Sequence, residues 1–385
     1  MTPSDSPQPI ASAADTPLEG LQRVRFSVVV TAYDGSHITL NGYRMPNEGQ
    51  QPVILWPGFY QNGFCFDLIE NGGSLAEYLW RNGLDLWVIH SRGTGGSGGR
   101  GMFCALDDYA ASDIPVVIDY VARKSGRKPI YLGHSQGGNT VLMSLMGACK
   151  RSDGSVVLSD EESETRQSRL KALVTLGSFL DFTFSKPSSL QDFIENGVVI
   201  SILGKRLRII KSSLILKVLH ILNFFPIPVS YTLRERMLAR RNFRILLAPL
   251  TIILNVCARL GIWEFLYHIP NVGDDARRYL FYRTQEGTFW GILAQHYRAI
   301  AGGAMLSFDG NVNYSENYHR LKLPVSFVSM EFDSLADPVK MKESMFDAVS
   351  SSEKFYTEWM GQGHEDFFMN PEYFPQALAV IMKVC

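Results

Sequence analysis

The sequence predicts an α/β fold, with a mostly parallel sheet of about eight strands carrying helices on both faces and an inserted helical cap. Three observations predict it. Short continuous apolar runs alternate with helical patterns from about residue 24. The alternation stops after Leu176 and resumes at Pro324. A serine flanked by glycines, in Gly133-His134-Ser135-Gln136-Gly137, stands between one apolar run and a helical stretch.

Residues 1–20 are polar and proline-rich, without the basic start and apolar stretch of a secretory signal. They read as a disordered tail, and the expectation is a cytoplasmic, reduced protein. Residues 21–180 form the first part of the core. Val24 to Ala32 and His37 to Arg44 flank Asp34-Gly35, a hairpin signal. Pro52 to Trp56, Asp85 to His90, Pro129 to Gly133 and Lys171 to Leu176 are largely apolar runs with little alternation, as expected of parallel strands buried on both faces. Ile114, Val117, Ile118 and Val121 follow helical spacing, and Asn139 to Met146 reads as a helix buried nearly all round. Arg151 to Arg169 is polar and acidic and is expected to be a surface loop. Residues 181–300, apolar, basic and punctuated by prolines 226, 228, 249 and 270, read as the helical cap. Residues 301–385 complete the core with strands at Pro324 to Met330 and Lys354 to Met360.

Composition narrows the function. With 385 residues, 46% hydrophobic and 19% charged, the chain has material for a large core and is neither disordered nor fibrous. Lys+Arg 37 against Asp+Glu 38 leaves no global basic excess to attract nucleic acid. The five cysteines are scattered and form no CxxC or Cys/His cluster, so neither a disulfide framework nor a metal site is expected. The longest apolar run, Ile245 to Ala258, is interrupted by Pro249 and Asn255 and is too short for an ordinary transmembrane helix.

Gly133-x-Ser135-x-Gly137 after a strand and before a helix is the nucleophile elbow of the α/β-hydrolase fold. There a serine sits on a sharp turn that only small neighbours permit. A serine hydroxyl is a weak nucleophile at its own pKa. It needs a histidine to take its proton and a carboxylate to hold that histidine in the right tautomer. In this fold the acid follows a late strand and the histidine follows the last one. His364, in Gly361-Gln362-Gly363-His364, alone among eight histidines meets that condition. Glu331, Asp333 and Asp337 all lie near the end of the preceding strand; Asp333 is preferred, because Asp337 before Pro338 suits a helix N-cap. The amides of Gln136, after the nucleophile, and of Phe59, in Pro57-Gly58-Phe59-Tyr60, are the candidate oxyanion donors.

The remaining histidines receive structural roles. His90 and His134 end strands, with His134 packing under the elbow, while His37, His220, His268, His296 and His319 are surface or packing residues. The second glycine-rich stretch, Arg92 to Gly99, has no P-loop lysine and no helix after it, and is expected to be a flexible loop beside the site. No metal or organic cofactor is needed for this chemistry.

From Thr31 to Lys150 the chain resembles the acid lipase family, which includes gastric and lysosomal acid lipases. The resemblance is carried by Tyr33-Asp34-Gly35-Ser36, Ser91-Arg92-Gly93 and Gly133 to Gly137. It returns at Gln295-His296-Tyr297 through Tyr318, at Asp333-Ser334-Leu335-Ala336-Asp337-Pro338 and at Gly363-His364-Glu365-Asp366-Phe367. It implies acyl-ester chemistry with Asp333 and His364 completing a triad with Ser135. The chain departs from the family in carrying Pro57-Gly58 where the family has His-Gly, in lacking a signal sequence, and in a cap with no motif that aligns.

Between Ser201 and Leu250 ten basic residues face the single acid Glu235, a net +9, interleaved with Ile and Leu. Two accounts stay open: a solvated basic face on a cap packed against the core, or amphipathic helices that lie on an anionic membrane. The expected function is a lipase-like serine carboxylic-ester hydrolase acting on a small-molecule or lipid ester. An acyltransferase on the same triad and a catalytically silent ligand-binding protein are the alternatives.

Overall fold

The computed structural model describes residues 20–68, 73–98, 103–185, 267–273, 276, 280 and 283–385, together with the backbone of 198–202 and 205–210. The expected tail and most of the expected cap, including nearly all of the +9 segment and His220, lie outside the described residues.

A hairpin opens the chain, with β1 (Val24–Thr31) antiparallel to β2 (His37–Met45). Then follow β3 (Gln51–Trp56), helix α1 (Leu75–Arg81), β4 (Leu84–Ile89), α2 (Leu106–Asp108), a π-helical turn (Tyr109–Asp113), α3 (Ile114–Ser125) and β5 (Ile130–His134). Helix α4 (Gln136–Leu145) leads to a small antiparallel pair, β6 (Ala148–Lys150) and β7 (Val156–Leu158), then α5 (Asp160–Ser168) and β8 (Ala172–Leu176). The eight-stranded sheet runs β1-β2-β4-β3-β5-β8-β11-β12, where β11 is Val325–Met330 and β12 is Lys354–Trp359. Every pairing from β4 to β12 is parallel, and only the hairpin end is antiparallel. This is the sheet the apolar runs predict.

Strand periodicity divides the core in two. Ile54 and Trp56 of β3, Tyr131 of β5 and Phe327 of β11 join one apolar cluster with α3 and α4. Val53, Leu55, Ile130, Leu132 and Val328 join the other, with α1 and the last helix, Phe374–Met382. Alternate side chains of a strand leave opposite faces, so a run that is apolar at every position builds both layers. On α3 the buried residues are Ile114, Val117, Ile118 and Val121, the stripe that the spacing predicts.

Three expectations are corrected. Arg151 to Arg169 is not a loop, since it contains β7 and α5. Ser159 caps α5 by accepting from the Glu162 N–H at 3.2 Å, and Asp160, Glu161 and Glu162 fill the positive first turn. The helix docks through polar contacts. Buried Arg166 donates to the Ser144 and Ala148 carbonyls, and Gln167 Oε1 accepts from the Lys322 and Leu323 amides. Apolar periodicity therefore has nothing to register.

The glycine-rich stretch is tethered rather than loose. Arg92 is buried in an ion pair with Asp113, and the Tyr109 hydroxyl donates to the Arg92 carbonyl. Gly95 N–H donates to the Glu286 carboxylate, and Gly98 N–H to the Thr39 carbonyl.

Residues 198–202 and 205–210, expected within a helical cap, form an antiparallel strand pair, β9 (Val198–Ile202) and β10 (Lys205–Ile210). The β-branched run Val198-Val199-Ile200 and the alternation Arg206-Leu207-Arg208 favour strand over helix locally. Helix α6 (Trp290–Gly302) runs across residue 300, so a domain boundary at 300 would fall inside a helix, and its Ile292 and Ala299 are buried in the core. Among the described residues, no helix is long and apolar enough to cross a membrane.

Candidate active site

Parallel strands bring their C-terminal ends to one edge of the sheet, so the loops after β3, β5, β8, β11 and β12 meet there. The site is built from these loops.

β5 ends at His134 and α4 begins at Gln136, leaving Ser135 alone at the turn with φ 49° and ψ −119°. A non-glycine residue at positive φ is strained, and neighbours hold this one there. The Ser135 N–H donates to the Leu176 carbonyl at 2.9 Å. A Cβ on Gly133 would stand 2.6 Å from the Gly138 nitrogen, and one on Gly137 2.6 Å from the Pro57 and Trp56 carbonyls. Both flanking positions therefore demand glycine for closeness alone. Gln136 is the first residue of α4, so its N–H has no intrahelical acceptor and lies at the positive end of the helix.

Asp333 and His364 follow neighbouring strands, β11 and β12, and they meet. His364 Nδ1 lies 2.6 Å from Asp333 Oδ2, and both side chains are buried. Asp333 Oδ1 accepts from the Leu335 and Ala336 amides at 2.8 and 2.9 Å, which fixes the carboxylate. His364 Nε2, the other ring nitrogen, is buried without a hydrogen-bond partner among the described residues. Burial opposes charging of the imidazole, but the Asp333 carboxylate outweighs it and raises the His364 pKa above its usual value. Gly177 joins this pair to the elbow. It follows Leu176, whose carbonyl holds Ser135, and a Cβ on it would lie 2.9 Å from both Asp333 Oδ2 and His364 Nδ1.

Asp337 lies elsewhere. It caps the short helix α7 (Pro338–Lys340) by accepting from the Lys340 N–H at 3.0 Å and also accepts from the Ser185 N–H and hydroxyl. Glu331 accepts from the Gly361 N–H. His134 packs its ring against His364, Phe367 and Phe368, with Nε2 at 3.1 Å from the His364 carbonyl. Burial holds its pKa well below the ordinary value.

Phe59 lies in the loop after β3, beside Tyr60, which like Ser135 is a non-glycine residue at positive φ (61°). Its ring packs on His296 of α6, centroids 5.0 Å apart, and His296 Nε2 lies 3.1 Å from Gln136 Oε1. One histidine thus touches both residues expected to supply oxyanion donors. Burial lowers its pKa to about 4, so it is neutral near pH 7 and can donate from Nε2. In the sequence alone His296 reads as a surface or packing residue. Its place in Gln295-His296-Tyr297, one of the stretches carrying the family resemblance, was the available signal. Gln61 and Glu365 were also missed. Both are buried, and Gln61 Nε2 donates to Glu365 Oε1 at 2.8 Å.

Among the described residues, no group of three or more His, Cys, Asp or Glu side chains could hold a metal ion.

Residues 51–198 match the family model described as the alpha/beta hydrolase fold. Human gastric triacylglycerol lipase is 34% identical over 107 residues, 24% of this chain and 26% of that protein. Mouse lipase member M is 34% identical over 109 residues, 24% of this chain and 25% of that protein. The match thus spans about a quarter of each relative's length. An esterase structure from Thermogutta terrifontis superposes with a TM-score of 0.52 at 14% identity, covering 94% of this chain and 99% of that one. The chain has the α/β-hydrolase fold and resembles the acid lipases.

Proposed function

We propose that this α/β-hydrolase-fold chain is a lipase-like carboxylic-ester hydrolase that works through an acyl-enzyme on Ser135. In this reading the Ser135 hydroxyl attacks the ester carbonyl while His364 Nε2 takes its proton. Asp333 holds the imidazole with Nδ1 protonated and stabilises the imidazolium that forms. The Phe59 and Gln136 amides receive the oxyanion, with Gln136 also offering the positive end of α4. His364 returns the proton to the leaving alcohol, and water resolves the acyl-enzyme by the same steps in reverse.

The observation that carries this reading is the His364–Asp333 contact at 2.6 Å, with a serine held at positive φ in the neighbouring loop and with Nε2 unpartnered among the described residues. The names of the relatives, triacylglycerol lipase and lipase, support an apolar acyl ester as the substrate class. The test is labelling by a fluorophosphonate probe together with hydrolysis of a p-nitrophenyl ester. The wild-type chain should label and turn over, while Ser135→Ala should not label and should lose roughly 10⁴-fold or more in kcat. Undiminished labelling of the variant would remove Ser135 from its role.

A further inference from the structure

Two buried acceptor atoms, one in the histidine loop and one in the loop after β3, have no donor among the described residues. Gln61 is 1% exposed and Glu365 4%. The Gln61 amide donates Nε2–H to Glu365 Oε1 at 2.8 Å, while Gln61 Oε1 and Glu365 Oε2 have no hydrogen-bond partner among the described residues. An ionised carboxylate has no proton to give, and an amide oxygen can only accept. A carboxylic acid facing a primary amide can make two antiparallel hydrogen bonds, N–H to acid oxygen and O–H to amide oxygen. The two atoms left over here are the two such a pair would join.

We infer that Glu365 is held as a neutral acid whose Oε2–H is donated to Gln61 Oε1. The resulting acid–amide clasp positions the loop carrying Phe59 against the loop carrying His364. The inference rests on the proposed hydrolase reading. Gln61 and Glu365 act through Phe59 and His364, so both are positioning residues.

The surroundings favour the neutral acid. His364 and Asp366 flank Glu365 on its own loop, Asp333 faces it from the loop after β11, and the buried Cys65 thiol faces it from the turn after β3. Burial, helped by the Asp366 and Asp333 carboxylates and opposed by His364, raises the Glu365 pKa to about 7. Gln61 belongs to the loop that shapes the site. The position a Cβ on Gly58 would take is 3.2 Å from both Gln61 Oε1 and Ser135 Cβ. Two consequences follow from the neutral state. The clasp holds by two bonds while the proton is present and faces a carboxylate against an amide oxygen once it leaves. A second negative charge beside His364 would also keep the imidazole protonated to higher pH, leaving less of it able to act as base.

Glu365→Gln preserves a two-bond clasp, amide to amide, but cannot titrate. Glu365→Leu and Gln61→Leu remove it. The wild-type kcat should rise as His364 loses its proton and fall again on an alkaline limb as Glu365 ionises. Glu365→Gln should keep kcat within about threefold at the optimum and lose the alkaline limb. Each leucine variant should lose about 10- to 100-fold in kcat with little change in KM, the cost of a misplaced loop.

A second measurement needs no turnover and is made in the Ser135→Ala background. A buried group whose pKa rises from 4.5 to about 7 on folding gives stability that is present below pH 4.5 and lost as pH rises through 7. The Tm advantage of the Glu365→Gln chain over its Glu365 parent should therefore grow between about pH 4.5 and 7 and then level off. A constant Tm difference together with an alkaline limb unchanged by Glu365→Gln overturns the clasp, as do leucine variants with wild-type kcat. Should the leucine variants fail to fold, the glutamine variant still decides. A clasp seen in the Tm series with no fluorophosphonate labelling of the wild type would mean that the hydrolase reading has failed and the clasp has not.

Discussion

Asp333 and Asp337 are four residues apart, and both are buried carboxylates that accept backbone N–H bonds. Only Asp333 faces an imidazole. Asp333→Asn should fold and lose about 10³- to 10⁴-fold in kcat, because the amide no longer selects the tautomer that leaves Nε2 able to accept a proton. Asp337→Asn keeps a good helix cap and should cost only a few-fold, so steady-state kinetics of the two variants separate the roles. Gly177 offers a second test at this scale. At φ 56° any side chain is strained, and the Cβ of Gly177→Ala would fall 2.9 Å from Asp333 Oδ2 and His364 Nδ1. Turnover should fall by about 10²-fold or more, with a lower Tm. Wild-type kcat in Gly177→Ala would mean that the Asp333–His364 contact is not needed for catalysis.

At the scale of elements, the loops are held by buried polar anchors, and the loop after β4 shows it best. Its Arg92 guanidinium is 2% exposed and paired with Asp113 of the π-helical turn. Asp113→Ala would leave that cation buried and unpaired, a loss of about 3–5 kcal/mol. Urea unfolding should register it as a lower midpoint, and a midpoint unchanged from wild type would mean that solvent reaches Arg92. Glu286 joins the same loop to the one after β3, accepting from the Gly95 amide and from Asn62 Nδ2 at 2.6 Å. Through Glu286 the loop after β4 is therefore tied to the loop that carries Phe59.

For the whole molecule, the parallel sheet brings the loops that carry Ser135, Asp333 and His364 to one edge. The relatives' names and the apolar cap sequence lead us to propose that kcat/KM rises from acetyl to medium-chain p-nitrophenyl esters. Each buried CH₂ should contribute up to about 0.8 kcal/mol, roughly fourfold. A steady fall beyond acetyl would point to a small-ester enzyme. The +9 charge between 201 and 250 supports a second proposal, peripheral contact with an anionic membrane. The Ser135→Ala chain, unable to cleave lipid in this reading, should pellet with anionic vesicles at low salt. It should stay in solution with neutral vesicles, or near 1 M salt, where the Debye length is about 3 Å. Solubility with both vesicle types at low salt would leave the basic residues as a solvated face.

The sequence by itself determined the strands, because unbroken apolar runs such as Val53 to Trp56 and Leu86 to Ile89 have to be buried on both sides wherever they lie. It also determined the turn at Ser135, because the glycines that permit it are adjacent in the chain. Signals of this kind are local. Pairings between distant loops were decided by tertiary structure alone, since they depend on which strands become neighbours. Asp333 was legible over Asp337 because Pro338 marks Asp337 as a helix cap, but the 2.6 Å approach of Asp333 to His364 depends on β11 and β12 lying side by side. Helix α5 escaped notice because it docks by hydrogen bonds, which leave no apolar period. Gln61 and Glu365 stand 304 positions apart, and His296 and Gln136 160 apart. Each of these polar side chains reads as surface until the sheet order brings its partner within 3 Å or so, since only burial beside that partner makes its hydrogen bond worth more than water's.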